Sequence, residues 1–328
     1  MRIGLLGASR IAPTAIVTPA GDVAGAQVHA VAARDRAKAE AFAATHGIPH
    51  VFDDYAALIA SPDIDLVYNG LPINLHAAWS IRALEAGKHV LCEKPFAMNA
   101  AEARAMQAAA ERSGARLIEA FHYRYHPGFA QMLAWIDAGR IGAVQSMTAT
   151  FNVPIADDLG EIRRLPETGG GAMMDLGCYP LSWILSVMRR APASLTARAD
   201  LSNTGVDERI VADLVFDDGA IAHIAASMAT DETIVARLDV VGANGRIEFT
   251  NPLAPQYGAV LTLIHADGQE TVSVSRKSTY AFQLEGVLDA LARKTPLPTE
   301  GATVLLQQET LDAIYAAAGL AHLRKPRP

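Results

Sequence analysis

The chain has 328 residues, enough for two domains, since single cores rarely grow beyond roughly 250 to 300 residues. With 51% hydrophobic and 19% charged residues and a net charge of −7, the composition excludes a disordered chain and argues against nucleic acid, whose backbone needs clustered Lys and Arg. The opening apolar run, Ile3 to Leu6, is too short for a signal peptide, and no run approaches the roughly 20 apolar residues of a membrane helix.

Two cysteines, Cys92 and Cys178, set up no disulfide framework, so a cytoplasmic protein without a membrane partner is expected. Arg2 to Leu6 reads as a buried strand, Gly7 to Ala12 as a tight turn into a helix, and Gln27 to Ala33 as a second strand. Helix-like Asp35 to His46, strand-like Ile64 to Asn69, alanine-rich Ala77 to Ala86, strand-like His89 to Leu91, helical Ala100 to Ser113 and strand-like Arg116 to Ala120 continue the alternation. Such a series predicts parallel strands with helices on both faces and ligands beyond the strands' carboxyl ends.

After about residue 122 the rhythm changes. A helix at Pro127 to Ala138, a strand at Gln145 to Val153 and a glycine turn at Gly169 to Gly171 lead into an apolar helix ending near Met188. Strands in series follow, Leu195 to Leu201, Glu208 to Phe216, Ile221 to Met228, Ala236 to Val241, Arg246 to Thr250, Ala259 to His265 and Thr271 to Ser275, separated by turn signals that predict an antiparallel sheet. Helices from Tyr280 to Arg293 and from Ala302 to Leu323 close the chain, the second long enough to pack back across the domain junction.

Gly7-Ala8-Ser9-Arg10-Ile11-Ala12 follows a strand and opens a helix, the setting in which a dinucleotide fingerprint has meaning. N–H groups at a helix N-terminus bind pyrophosphate, and missing Cβ atoms let it approach. Ala12 suits helix packing, whereas Ser9, in the second glycine's place, must tolerate that approach; an ordinary strand-to-helix turn is the alternative. At the end of the second strand Ala33 stands where an NAD-selective protein places its acid. Arg34 could meet a 2′-phosphate with its fork of donors and Lys38 could add a charge one turn later, which favours NADP over NAD. The plainer reading leaves both cations solvated and gives the ribose to Asp35.

Cys92-Glu93-Lys94-Pro95 leaves a buried strand and sets a cation where an α/β protein holds a nicotinamide; Pro95 keeps Lys94 extended. By base rate alone such a lysine is a surface residue at a strand end. Gly171-Ala-Met-Met-Asp175-Leu-Gly-Cys-Tyr179 adds a carboxylate and a phenol four residues apart, neighbours on one face of a helix. A lysine there would favour the tyrosinate of an adjacent phenol, and that phenol could exchange a proton with a substrate alcohol or carbonyl as hydride moves. Pro180 implies that the helix begins near Gly177, with Asp175 at or before its cap. An N-capping Asp175 and a core Tyr179 are the plainer alternatives. His122 and His126 have metal-pair spacing, yet no further ligand lies nearby in sequence and Pro127 marks a junction, so no metal is expected. His76, after Leu71-Pro72-Ile73-Asn74, contacts the cofactor or satisfies its own loop.

Together Gly7 to Ala12, Tyr68 to His76, Glu93-Lys94-Pro95, Glu119-Ala-Phe-His-Tyr-Arg124-Tyr-His-Pro127 and Gly169 to Tyr179 resemble the glucose-fructose oxidoreductase, inositol dehydrogenase and MocA superfamily in order and spacing over nearly the whole chain. Val31 to Asp35, His126-Pro127 and a tyrosine at 179 look most like its dimeric dihydrodiol dehydrogenase and aldose dehydrogenase branch. The resemblance implies an α/β protein with an N-terminal doubly wound Rossmann domain at residues 1–122. It implies a C-terminal α/β domain at 123–328 with an open, predominantly antiparallel sheet that mediates dimers or larger homo-oligomers. It also implies NADP as cofactor, with Leu71, Pro72, Asn74, His76, Glu93, Lys94 and Arg124 joining Gly7 to Ile11 around it. Lys94 and Tyr179 would be catalytic, Asp175 would support them, and Phe151, Asn152, Arg163 and Tyr280 would shape substrate specificity. Ser9 and Leu71 depart from the family pattern, Leu71 standing where a hydroxyl-bearing residue is common.

The expected function is NADP(H)-dependent hydride transfer with a small sugar or vicinal diol, such as xylose, glucose or a trans-dihydrodiol. The alternatives are a sugar–sugar oxidoreductase that recycles a tightly bound cofactor, an enzyme that uses transient oxidation to eliminate a glycosidic substituent, and a non-catalytic nucleotide-sensing regulator.

Overall fold

Six short strands, β1 (Arg2–Leu6), β2 (Gln27–Ala32), β3 (His50–Phe52), β4 (Leu66–Asn69), β5 (His89–Cys92) and β6 (Leu117–Glu119), form one parallel sheet in the computed structural model, which describes residues 1–158 and 160–325. Their order is β3-β2-β1-β4-β5-β6, so the winding reverses between β1 and β4 and opens a crevice at the carboxyl ends there. β4 is buried along its whole length and β1 along nearly all of it, as helices on both faces require. Helices α1 (Thr18–Asp22), α2 (Arg36–His46), α3 (Tyr55–Ala60), α4 (His76–Glu85) and α5 (Ala100–Ser113) alternate with the strands. Neither β3 nor α3 is legible in the sequence, because three and six residues are too few to display a period.

The second sheet begins after α6 (Pro127–Asp137) and contains β7 (Val144–Asn152). It is completed after α7 (Cys178–Met188) by β8 (Ser194–Leu201), β9 (Asp207–Val215), β10 (Ile221–Ser227), β11 (Val235–Gly242), β12 (Gly245–Thr250), β13 (Val260–His265) and β14 (Gly268–Val272). Its order is β14-β13-β12-β11-β7-β10-β9-β8. The expectation of an antiparallel sheet holds for every pairing but one: β7 and β10 run parallel, with α7 in the crossover between them. α7 is apolar all round and packs on those two strands, which accounts for its near-complete burial.

Two helical starts are π-helical turns, Pro13–Val17 before α1 and Met173–Gly177 before α7. Each precedes a proline early in the α-helix, Pro19 and Pro180, where the ring supplies no N–H and crowds the preceding turn; a wider turn accommodates it. The helix carrying Tyr179 therefore starts earlier than Pro180 suggests, and Asp175 lies inside its first turn, with Ala172 at the cap.

The final helices are α8 (Thr279–Arg293) and α9 (Ala302–Ala317). The chain divides into two units, Met1–His122 with Tyr280–Val304, and Tyr123–Thr279 with the segment from Leu305 on. A single cut after residue 122 thus misassigns 280–304. Arg116 binds Glu300 through Nε and Nη2 at 2.9 and 2.6 Å, and Glu119 N–H donates to Thr299 O at 2.8 Å, so this late segment lies along β6.

In the second unit Arg164, 1% exposed, donates to the carbonyls of Ala156, Ile155 and Met228 and to Glu208 at 2.6 to 3.0 Å. This clamp fastens the chain ahead of the glycine turn to the sheet. Removing one partner of a buried charge pair strands the other. Arg164→Ala should lower the unfolding free energy by about 3 to 5 kcal/mol, measured by chemical denaturation; a loss below about 1 kcal/mol, the range of exposed pairs, would refute the clamp.

Candidate active site

In the first unit, the candidate residues gather at the carboxyl ends of parallel strands. Gly7 ends β1 with φ +90°, and a Cβ there would stand 3.0 Å from Leu71 Cδ2. Ser9 Oγ is buried without a hydrogen-bond partner and lies 3.0 Å from where Gly70 would carry a Cβ. Ala8 is half-buried, and Arg10 and Ile11 are exposed ahead of the first π turn. A positive-φ glycine, a hydroxyl lacking an acceptor and a helical start fit a pyrophosphate. After β2, the Asp35 carboxylate accepts from Ala37 N–H and Lys38 N–H at 3.0 and 3.3 Å and caps α2. Capping commits this acid locally, while Arg34 and Lys38 stand exposed beside it.

After β4, Leu71 is buried, Pro72 half-buried and Asn74 exposed. His76 is 1% exposed, with Nε2 2.8 Å from Leu71 O and Nδ1 3.1 Å from Pro95 O. Burial pushes its pKa down to about 4, so the neutral ring carries one N–H, set between a carbonyl of the loop after β4 and a carbonyl of the loop after β5. The ring therefore packs between these two loops.

The loop after β5 holds Glu93, half-buried Lys94 and Pro95, joined by a cis peptide bond between the last two. Tyr68, buried on β4, donates to Glu93 Oε1 at 2.8 Å, and Lys94 N–H reaches Glu93 Oε2 at 3.3 Å. Glu119, at the end of β6, accepts from Phe96 N–H at 3.2 Å. Buried side chains from β4, α4 and β6 therefore fasten residues 93, 95 and 96 around Lys94. Burial pushes the Glu119 carboxyl up to about 8 against that hydrogen bond; the charge of Glu93 adds to the rise and Lys94 opposes it. His122 stacks on Tyr280 with ring centroids 3.9 Å apart, and burial, helped by Lys94, holds its pKa down to about 3. Tyr280, expected in the second domain, lies in the first unit because residues 280–304 belong there.

In the second unit, Tyr179 is 4% exposed in the first turn of α7, edge-on to Phe151 at 5.6 Å and to Tyr123 at 6.2 Å. Tyr123 is itself fixed by donating to Ser182 Oγ at 2.7 Å. Arg163 forks onto Glu161 through Nε and Nη2, both at 2.9 Å, and its Nη1 lies 3.7 Å from Asp175 Oδ2. This places Asp175, Arg163 and buried Glu161 in one ionic cluster beside the turn that leads to Tyr179. Arg124 Nη1 is buried without a hydrogen-bond partner, and Asn152 donates to Glu232 at 3.1 Å. His126 caps α6 by accepting from Gly128 N–H, and its Nε2 lies 3.0 Å from Ser275 O; this, with the His122 stack, gives each histidine of the suspected metal pair a different task.

Sequence reasoning gave no site role to Tyr68, Glu119 or Glu161, although Tyr68 and Glu119 open two of the segments that carry the resemblance. Tyr68 and Glu119 sit on strands where an aromatic or an acid shows no period of its own. Glu161, two residues before Arg163, offered the one readable signal.

A parallel sheet with a tight glycine after its first strand and a fastened lysine after its fifth defines a nucleotide-binding α/β oxidoreductase. The sequence profile described as "Oxidoreductase family, NAD-binding Rossmann fold" matches residues 1–121 and that of the "GFO/IDH/MocA C-terminal domain" matches 129–248, and the chain belongs to this family. It is 34% identical over 323 residues, 97% of each chain, to D-xylose 1-dehydrogenase (NADP(+)) 2 of Haloferax volcanii. It is 41% identical over 185 residues, 56% of each chain, to trans-1,2-dihydrobenzene-1,2-diol dehydrogenase of Xenopus laevis. The crystal structure of KijD10, a 3-ketoreductase from Actinomadura kijaniata in complex with NADP and TDP-benzene, matches with a TM-score of 0.87 over 97% of each chain at 27% identity.

The raised Glu119 carboxyl has a linkage consequence. Between its ordinary value of 4.5 and about 8 the unfolded chain releases this proton while the folded one keeps it, so the contribution is full below 4.5 and fades as pH rises. His76 and His122 act oppositely, losing stability as pH falls below 6.5. Comparing Glu119→Gln with the parent by urea unfolding at pH 5 and pH 8 isolates the carboxyl. The parent should lose up to about 1.4 kcal/mol per pH unit relative to the variant, and parallel pH dependences would exclude the assignment.

Proposed function

We propose that the protein is an NADP(H)-dependent dehydrogenase of a small sugar or vicinal diol, interconverting a secondary alcohol or hemiacetal with its carbonyl or lactone. The observation that carries this reading is the anchoring of the residues on either side of half-buried Lys94, Glu93 by Tyr68 and Phe96 by Glu119. Similarity over 97% of the chain to a relative named as an NADP-dependent xylose dehydrogenase supports it. The nicotinamide, when bound, supplies or accepts the hydride. Tyr179 moves the proton at the substrate oxygen, Lys94 orients that oxygen by hydrogen bonding, and Asp175, held by Arg163, supports the phenol's turn. Arg163, anchored by Glu161, presents its half-exposed guanidinium to substrate hydroxyls, with Phe151 packing behind Tyr179.

Ser9 Oγ and the N–H groups that follow Gly7 hold the pyrophosphate in this reading. Arg34 and Lys38 select the 2′-phosphate, since Asp35 is spent on its cap. A spectrophotometric screen with NADP and NADPH against aldoses, ketoses and trans-diols tests the substrate class. Lys94→Ala and Tyr179→Phe should each lower kcat by about 100-fold or more while NADPH fluorescence titration shows little change in Kd; unimpaired turnover in both would remove the mechanism. Arg34→Ala should weaken NADP by about tenfold or more, the worth of a charge-assisted pair, and leave NAD almost unaffected. Equal losses for the two cofactors would defeat the 2′-phosphate assignment.

A further inference from the structure

Among the buried acids outside the residues already assigned, Asp207 is the most enclosed, at 0% exposure. It opens β9, far in sequence from the glycine turn, yet its Oδ2 accepts from Met173 N–H at 2.6 Å and its Oδ1 accepts from Tyr315 OH at 2.8 Å. Met173 is the first residue of the π turn, and the preceding cap, Ala172, has no side chain able to take one of the turn's unpaired N–H groups. Asp207 supplies that missing acceptor from across the sheet. Gly171 makes room for it: its φ is +128°, and a Cβ there would overlap Asp207 Oδ1 and stand 2.9 Å from Tyr315 OH. The glycine turn is thus shaped around this carboxylate.

We propose that Asp207 is a positioning residue that sets the register of the π turn and so places Asp175 and Tyr179 for catalysis. This rests on the proposed roles of those two residues. A one-residue slip of the turn would swing Asp175 by about 100° away from Arg163, and the Asp207 contact joins the Asp175 N–H to Gly171 O bond of 3.0 Å in resisting it. Arg324, 4% exposed and paired with Asp312 at 2.8 Å, contributes the positive charge that favours the ionised cap. Burial pushes the Asp207 carboxyl up to about 6, while the Met173 and Tyr315 hydrogen bonds and the Arg324 charge hold it down.

The test compares Asp207→Ala, Asp207→Asn and Tyr315→Phe with the parent and with Tyr179→Phe. Its readouts are kcat and KM on the best substrate of the screen, NADPH binding by fluorescence, and hydrogen exchange of the Met173 amide. Asp207→Ala should lower kcat by about 30-fold or more, with KM and NADPH affinity within about threefold, and should unprotect the Met173 amide. Asp207→Asn can still accept from Met173 N–H while its amide donates to the Tyr315 hydroxyl, and should return kcat to within about fivefold of the parent. If the alanine variant does not fold, Tyr315→Phe decides, with a partial loss of kcat and faster exchange at Met173 expected. The proposal is overturned if Asp207→Ala, or Tyr315→Phe in its place, keeps kcat and Met173 protection while Tyr179→Phe is inactive. It is overturned equally if asparagine fails to rescue kcat although Met173 stays protected. An active Tyr179→Phe would strike the functional reading instead, leaving the Met173 amide to judge whether Asp207 holds the turn.

Discussion

A carboxylate 8% exposed at a strand end is tolerable only with donors aimed at it, and the phenol of Tyr68 provides one for Glu93 from the adjacent strand. That hydrogen bond is the fixed point of the first unit. Because β4 and β5 are parallel neighbours, their carboxyl ends emerge side by side, and the bond joins them where the backbone ladder stops. His76 and Glu119 then hold the next residues of the same loop, so the lysine between them departs from a rigid base. Rigidity of this kind is what a cation needs if it is to sit at one distance from a reacting oxygen through a turnover.

The second unit meets a similar demand by different means. The turn before α7 rests on the sheet rather than leaving a strand end, and helical hydrogen bonding there is of the wider, weaker π kind. Positional control comes instead from the ionic fork of Glu161 and Arg163, from aromatic edges around Tyr179, and from packing of α7 on the paired β7 and β10. Glycine at 171 belongs to this set, since its missing side chain lets buried oxygens come close.

Much of this was legible along the chain. The alternation of apolar runs with alanine-rich helices announces the Rossmann sheet, and Gly7 to Ala12, Lys94, Asp175 and Tyr179 stand out because their neighbours, a strand exit or a glycine turn, give them context. What failed to show was whatever depends on partners remote in sequence. Glu119 looks like any strand residue until Phe96 is placed against it. Tyr280 reads as part of the second domain because nothing local records that Arg116 meets Glu300. The parallel pairing of β7 with β10 is invisible for the same reason, since strand patterns carry the period of a face and not the direction of a neighbour. Pro180 misled in a more instructive way: it correctly forbids an ordinary helix interior, but the structure answers with a wider turn rather than with a later start.

The assignment of residues 280–304 to the first unit has a consequence for biosynthesis. Domains commonly fold in order as they leave the ribosome, yet this amino-terminal half lacks α8 and the Arg116–Glu300 pair until nearly all of the polypeptide has been made. An early nascent chain would carry β6 with one flank bare, and its maturation must await translation of the second sheet. A cut at residue 122 therefore separates the first unit from part of itself, and recombination between relatives would have to exchange residues 280–304, with α8, together with residues 1–122.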